Sequence, residues 1–511
     1  MSVYRGLWRV LATVVLSLAI QDISAAGSAS SGAGARSPNS VRKSAAKKGA
    51  EESCLPKNES SSSLDEEGYF PFKKSASDTV ADNVAGVRIE SDKVVLLGYD
   101  KAYSVKALTK EEDFSDMNFF RKYPKLLSIE LNDVVLTSEK LENIQKFAPQ
   151  NLKSIIIRRC HIQNDEDYKL VADFLEKHDG LESVTIVQPE LSGEPLEEVL
   201  SALKGNKKIK FLNATVLEIS NEGGEKLAEL ISESAGNLCG ISLGWYKATG
   251  KEEEVYEKIS EALGKAKKLE TLELAFLSSP EGAFGSLSES IGNLSKLQRL
   301  AVFFGGLDSH DHVKVFEQAE SFQKSLESLS ELEILDISSN AFSKEVTQLI
   351  LASVQKMKKL KTLNISGNVI DDKSASTLSE SIGEYLTITT LIANNCSIND
   401  AILGAMFSKS GKIPPIRYLS LKDNEIKDGV KSLPIDNMND LVSIDFFGNR
   451  IDYEGVMAFV DNVAGHTCLK IANFRNNSGI DSTSDIEKSR WRDELEKKRI
   501  EKKVTVALFG V

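Results

Sequence analysis

The sequence predicts an α/β solenoid of about thirteen short parallel strands, each followed by a helix. Three observations carry this. First, Leu332, Leu335, Ile337, Asn340 and Phe342 return 28 residues later as Leu360, Leu363, Ile365, Asn368 and Ile370. With the first leucine as position 0, the frame is apolar at positions 0, 3, 5 and 10 and carries asparagine at 8. Second, the frame restarts at Leu126, Leu152, Leu181, Ile209, Leu238, Leu269, Leu297, Leu332, Leu360, Ile388, Ile416, Leu441 and Leu469, mostly at steps of 28 or 29. Third, runs between the starts, such as 253–268 and 344–359, place apolar residues three and four apart, the period of an amphipathic helix. A strand, a helix and a strand in the same sense give parallel pairing. One such unit cannot bury its apolar face without neighbours.

Taken in order, the chain begins with Arg5 and Arg9 ahead of the apolar run 10–20, then small residues at Ser24, Ala25 and Ala26. A basic start, a short apolar stretch and a small-residue cleavage site predict a signal peptide over 1–26. An organelle transit peptide is the rival, since residues 1–50 are rich in Arg, Ser and Ala. The apolar run falls short of the ~20 residues of a comfortable membrane span. Residues 27–78 are rich in Gly, Ser, Ala, Lys and Glu with little to bury, and predict a disordered linker. Residues 79–125 predict an amino-terminal cap. VRIES and KVVLLGY read as two strands around a polar turn, and Thr109–Glu112 as a capping box opening a helix.

Residues 126–484 hold the repeats. Their frame resembles the leucine-rich repeat, LxxLxLxxN/CxL, and the 28-residue unit with a full helix resembles the ribonuclease-inhibitor-like class. The resemblance covers roughly 110–490 and implies a horseshoe with strands inside and helices outside. It also implies a binding module rather than an enzyme, with a protein ligand as partner and no cofactor.

Positions 0, 3, 5 and 10 are the predicted core, each buried side chain contributing ~1.5–3 kcal/mol. Position 8 turns the chain out of the strand and leaves backbone groups without ladder partners. A buried Asn can satisfy them, and losing such a partner costs ~1–3 kcal/mol. Cys160, Asn340, Asn368, Cys396, Asn424, Asn449 and Asn477 occupy it as a structural ladder. The first seven units otherwise carry Val134, Pro189, Leu217, Tyr246, Leu277 and Gly305 there, which predicts a less regular amino half. Residues 485–511 read as a charged helix from about 485 to 503 and a final apolar strand, a carboxyl-terminal cap.

Composition bounds the function. The 511 residues carry a net charge of −12, which disfavours a general nucleic-acid binder. Five scattered cysteines do not make a disulfide framework. Gly240, Ser242 and Gly244 spell GxSxG, but inside a repeat strand and not at the strand-to-helix turn a nucleophile elbow needs. His310 and His312 lack further ligands for a metal. No second apolar stretch of spanning length follows the leader.

Positions 2, 4 and 6 point opposite to 3 and 5 and line the concave side. Thirteen strands ~4.8 Å apart make that side about 58 Å long. Position 4 reads Glu130, Ile156, Thr185, Asn213, Ser242, Glu273, Ala301, Asp336, Asn364, Ile392, Ser420, Asp445 and Asn473, a mixed polar row. Trp245, Phe276 and Phe304 hold position 7 in three consecutive units, with Phe303 and Tyr246 beside them. Exposed, they are an aromatic ladder of the kind enriched in protein hot spots; packed inside, they refill a turn that has lost its Asn. Trp245, Phe276, Phe303 and Phe304 are therefore the candidate protein-binding residues. Sequons stand at Asn58, Asn213, Asn293, Asn364, Asn395 and Asn476, and sugar at Asn213 or Asn364 would block the concave side.

These readings point to a secreted, non-enzymatic interaction protein, or to an effector delivered into a host cell by a parasite or symbiont. A second reading follows from resemblance to Ran GTPase-activating proteins, which share the repeat class and act through an arginine and polar residues at a repeat edge. Arg158 and Arg159 are the nearest candidates, and the leader argues against this reading.

Overall fold

The computed structural model describes residues 86–90, 93–97 and 126–481, apart from 163, 189, 278–281, 306–311, 385–386, 408–412, 414, 464–465 and 467; beyond them it describes 489–491, 493–494, 497 and 505–507. The expected leader, the linker, the helix after Thr109 and His310 lie outside the described residues.

The strands are β1 (Gly86–Glu90), β2 (Lys93–Leu97), β3 (Ser128–Asn132), β4 (Val135–Leu136), β5 (Ser154–Arg158), β6 (His161–Ile162), β7 (Ser183–Gln188), β8 (Phe211–Ile219) and β9 (Gly240–Ala248). They continue as β10 (Thr271–Phe276), β11 (Arg299–Phe304), β12 (Ile334–Asp336), β13 (Thr362–Asn364), β14 (Thr390–Ile392), β15 (Tyr418–Ser420), β16 (Ser443–Asp445), β17 (Ile471–Asn473) and β18 (Thr505–Ala507). All but β4 and β6 form one 16-stranded sheet, in which each repeat strand pairs with the next. Pairing is parallel throughout that sheet except for β2, which lies antiparallel to β1 at the edge. The β1–β2 pair falls in the region expected as the amino cap, and β18 in that expected as the carboxyl cap.

Helices pack on one face of the sheet and bury the apolar frame. Leu332, Leu335, Ile337 and Phe342 are at most 1% exposed, and one contiguous core runs from Leu126 to Ile480. Position 11 or 12 supplies the helix N-cap. The side chains of Thr137, Asn164, Ser220, Ser343, Asn399 and Asp452 each accept from a backbone N–H in the first turn.

Helices are shorter than the periodic runs suggest. The run 253–268 is helical over Glu252–Leu263, after which Gly264 ends it and Ala266 and Leu269 turn into the core. Between β15 and β16 the unit has no α-helix, only 3₁₀ turns at Gly429–Ser432 and Ile435–Asn437. This is the unit with the 25-residue step, and its Pro434 cannot donate to a helical ladder.

Strand length has a local cause. In the regular units position 7 is left-handed: Ser339, Gly367, Asn395, Asp423, Gly448 and Asn476 have φ between 50° and 72°, which ends the strand there. The units of β7 to β11 carry Gln188, Val216, Trp245, Phe276 and Phe304 at position 7. Bulky and β-branched residues resist positive φ, so the strands run on, to nine residues in β8 and β9 against three in β12.

Candidate interaction face

The sheet face opposite the helices is built by positions 2, 4 and 6. The pairing register places Glu130, Ile156, Thr185, Asn213, Ser242, Glu273 and Ala301 side by side in one row, and continues it through Asp336, Asn364, Ile392, Ser420, Asp445 and Asn473. Arg88 and Ala507 extend that row at its two ends.

In the carboxyl half the row is a hydrogen-bonded network. Asn364 Nδ2 donates to Asp336 Oδ2 at 2.9 Å, Ser420 Oγ to Asn394 Oδ1 at 2.8 Å and Asn473 Nδ2 to Asp445 Oδ1 at 3.0 Å. Lys422 Nζ lies 3.1 Å from Asp445. Burial holds the Asp423 carboxyl above its ordinary range; Lys422 opposes that and Asp445 adds to it. Farther along, Arg299 Nε meets Glu273 Oε1 at 3.0 Å with both side chains at most 2% exposed. These contacts fix rotamers before any partner arrives, the preorganisation that lowers the entropic cost of binding.

Position 8 forms the ladder expected of it. Asn424 Nδ2 donates to the carbonyls of Ala393 and Leu421 at 2.8 and 3.0 Å, while its Oδ1 accepts from Cys396 N and Ile398 N at 2.9 and 3.0 Å. Asn340, Asn368, Asn449 and Asn477 repeat the pattern, each Nδ2 reaching a carbonyl of the preceding unit. Cys160 and Cys396 point their thiols at carbonyls of Leu131 and Ile365, 3.4 Å away. Burial pushes both thiols up to about 11, so neither is a nucleophile near neutral pH. Gln188 is a ladder member that the frame does not reveal. Its amide accepts from Cys160 N at 2.8 Å and donates to Cys160 O at 2.9 Å, from position 7 of a unit whose position 8 is proline.

The structure corrects the aromatic ladder. Trp245, Phe276 and Phe304 are 1%, 0% and 1% exposed and belong to the core. The reason is the missing left-handed turn: in a strand that runs on, position 7 alternates to the same side as 3 and 5. Trp245 packs against Phe276 in a tilted arrangement, ring centroids 4.2 Å apart, and donates Nε1–H to Tyr256 Oη at 2.9 Å. Burial raises the Tyr256 phenol in turn. Of the four candidates, Phe303, at position 6, alone remains half-buried on the helix-free face.

The same alternation brings position 8 out where it would otherwise be the buried Asn. Leu217 and Tyr246 lie between the paired Val216–Trp245 and Glu218–Lys247 of β8 and β9, and both are half-buried. Leu277, also half-buried, continues the row, its N–H still donating to Trp245 O at 3.1 Å. Gly305 ends it; a Cβ there would lie 2.2 Å from Leu277 O, so only glycine fits so close to that backbone. Leu217, Tyr246, Leu277 and Phe303 are thus half-buried apolar residues of four consecutive units, on a face that also carries half-buried Phe211, Ile334, Tyr418 and Phe447.

Other candidates are placed as follows. Gly240, Ser242 and Gly244 lie within β9. His312 opens a helix, His312–Glu327. Among the described residues no three His, Cys, Asp or Glu side chains group as a metal site, and no helix is long and apolar enough to cross a membrane. Arg158 lies 3.8 Å from Glu130, and Arg159, itself left-handed at φ 49°, lies 2.7 Å from Asp133. Cys160, Cys239 and Cys396 are free thiols, and Cys468 is disulfide-bonded.

A family model described as Leucine Rich repeat matches residues 356–379 and 437–460. No curated protein matches. Among solved structures, a leucine-rich-repeat protein of Leptospira interrogans is 13% identical, covering 77% of this chain and 98% of that one at a TM-score of 0.33. A chain from an octameric complex of Latrophilin 3, Unc5D and the leucine-rich-repeat protein FLRT2 is 14% identical, covering 76% and 84% at a TM-score of 0.29. Matched segments, parallel strands in register and an Asn/Cys ladder at one position of every regular unit lead to one conclusion: this chain is a leucine-rich-repeat protein.

Proposed function

We propose that this chain is a secreted, non-enzymatic protein-binding module of the ribonuclease-inhibitor-like class. Its docking surface is the helix-free face, taken to be the concave side of a horseshoe. The carrying observation is the run of Leu217, Tyr246, Leu277 and Phe303, where four consecutive units without the buried Asn leave apolar side chains half-buried. Aromatic and aliphatic anchors ringed by satisfied polar groups are what protein hot spots are made of. Secretion rests on the leader, and the disulfide at Cys468 is in keeping with an oxidising route. Delivery as an effector into a host cell shares both features. The GTPase-directed reading draws little support from Arg158 and Arg159, whose guanidinium groups are engaged by Glu130 and Asp133.

The test places a photo-crosslinking phenylalanine analogue at Tyr246 and at Phe303, with Lys258 on the helical side as control. In the native compartment, the first two sites are expected to capture a common protein and the control not. Tyr246→Ala should then weaken that partner about tenfold or more, ~1.4 kcal/mol, with the melting temperature held. Equal capture from Lys258, or unchanged affinity in both Tyr246→Ala and Phe303→Ala, would overturn the docking face.

A further inference from the structure

We infer that Asn293, Asn395 and Asn476 are the positions at which this fold accepts an N-linked oligosaccharide, and that Asn213 and Asn364 are closed to it. The inference rests on the proposed secretory route for its setting; the choice among sequons rests on geometry alone. Asn58 lies outside the described residues.

In the transfer, the side-chain amide nitrogen attacks C1 of an oligosaccharide carried on a lipid diphosphate. The N–C1 bond forms, the C1–O bond to the diphosphate breaks, the amide gives up one proton and the lipid diphosphate leaves. The product nitrogen keeps a single hydrogen and carries a bulky hydrated chain. A folded acceptor must therefore point its amide nitrogen at water and have no structural use for both hydrogens.

Asn364 fails on every count. It is 7% exposed, its Nδ2 donates to the buried Asp336 at 2.9 Å, and its Oδ1 accepts from Oγ of Ser366, the hydroxyl residue of its own sequon, at 2.8 Å. It also stands between Asp336 and Ile392 on adjacent strands, which run ~4.8 Å apart and leave no room for a sugar ring. Asn213 sits in the same row, half-buried between Thr185 and Ser242, and its Oδ1 accepts from its own sequon Thr215 at 3.3 Å.

Asn395 and Asn476 are different because the repeat turns left-handed beneath them. Both occupy position 7, with φ 50° and 57°, and both are exposed, as are their sequon partners Ser397 and Ser478. Neither side-chain amide has a hydrogen bond among the described residues. Asn is also one of the residues best suited to positive φ, so the turn that suits the backbone presents the acceptor. Asn293 follows the helix Ala283–Ile291; it is exposed, as is Ser295, and its Nδ2 donates only to the solvent-facing carbonyl of Glu289 at 3.2 Å. Asn395 and Asn476 lie just past the carboxyl ends of β14 and β17, and Asn293 in the loop leading into β11. Glycans there would flank the sheet at its two rims and leave the helix-free face bare.

The full chain with its own leader is expressed in a glycosylating eukaryotic cell. Secreted protein is deglycosylated enzymatically in H₂¹⁸O, and each sequon is read by peptide mass spectrometry as Asn or ¹⁸O-labelled Asp. Label is expected at Asn293, Asn395 and Asn476 and not at Asn213 or Asn364. Label at either of the latter in soluble secreted protein overturns the inference, as does absence of label at the three acceptors. A parallel chain in which an unrelated secretion leader replaces residues 1–26 separates the two readings. If it is labelled at the three acceptors while the native chain stays inside the cell, the leader reading falls and the acceptor assignment stands. If it is secreted without label, the assignment falls. N293Q, N395Q and N476Q should each remove one glycan step on a gel. N364Q should remove none while lowering the melting temperature.

Discussion

The asparagine ladder makes a sharp prediction at Asn424. Its side chain holds two backbone N–H groups and three carbonyls from two neighbouring units, all at 2.8–3.1 Å, and is 6% exposed. Alanine removes all five contacts. A buried donor left without an acceptor costs ~1–3 kcal/mol. Two such donors, with the small cavity and the relaxed carbonyls, put Asn424→Ala at roughly 3–5 kcal/mol, the range of the most damaging single substitutions. Asn424→Cys should fall between, since the sulfur keeps a weak donor, as Cys396 does toward Ile365 O at 3.4 Å, and loses the acceptor. The exposed Lys427→Ala nearby is the control and should stay within about 0.5 kcal/mol. Urea unfolding followed by circular dichroism reads the magnitude. Hydrogen exchange reads the place: stacked units interact with their neighbours only, so lost protection should centre on 393–426. A loss below about 1 kcal/mol, or deprotection spread evenly over the chain, would refute the claim that the ladder satisfies the turn backbone.

Three further outcomes follow from the same geometry. Trp245→Phe should cost ~1–3 kcal/mol by leaving Tyr256 Oη without its donor, and Trp245→Ala ~3–5 kcal/mol; iodide should leave Trp245 emission unquenched in the native protein. Burial raises the Cys160 and Cys396 thiols from 9.0 to about 11, so above pH 9 the unfolded chain gives up those protons first. Stability present below that pH is lost as pH climbs to 11, by up to about 3 kcal/mol per thiol; urea midpoints should fall over this window, and less steeply in the Cys160→Ala, Cys396→Ala double variant. Arg299→Met strips Glu273, 2% exposed, of a charged partner at 3.0 Å, and should cost roughly 3–5 kcal/mol. Adding Glu273→Leu should recover most of that loss, measured by thermal melting.

The molecule is legible from its period and obscure where a unit breaks it. Thirteen starts at the frame's own positions came to lie in register without a slip, because alternation in a strand leaves one way to bury 3 and 5 together. What the frame cannot convey is where a strand stops. That depends on whether position 7 tolerates positive φ, a property of one residue: Asn395 and Gly448 turn, Trp245 and Phe276 do not. Reading position 7 by its aromatic character suggested a surface; reading it by alternation puts it inside and puts position 8 outside. Turn tolerance therefore decides which units end the strand at position 7 and which run on and leave Leu217 and Tyr246 half-buried. A paired substitution tests the link. Val216→Asn with Leu217→Asn restores the regular turn chemistry at positions 7 and 8 of that unit. It should shorten β8, visible as amide-exchange protection lost over 217–219, where Glu218 now pairs with Lys247 and Ile219 with Ala248. If protection there is unchanged, the strand is held long by its neighbours and not by its own position 7.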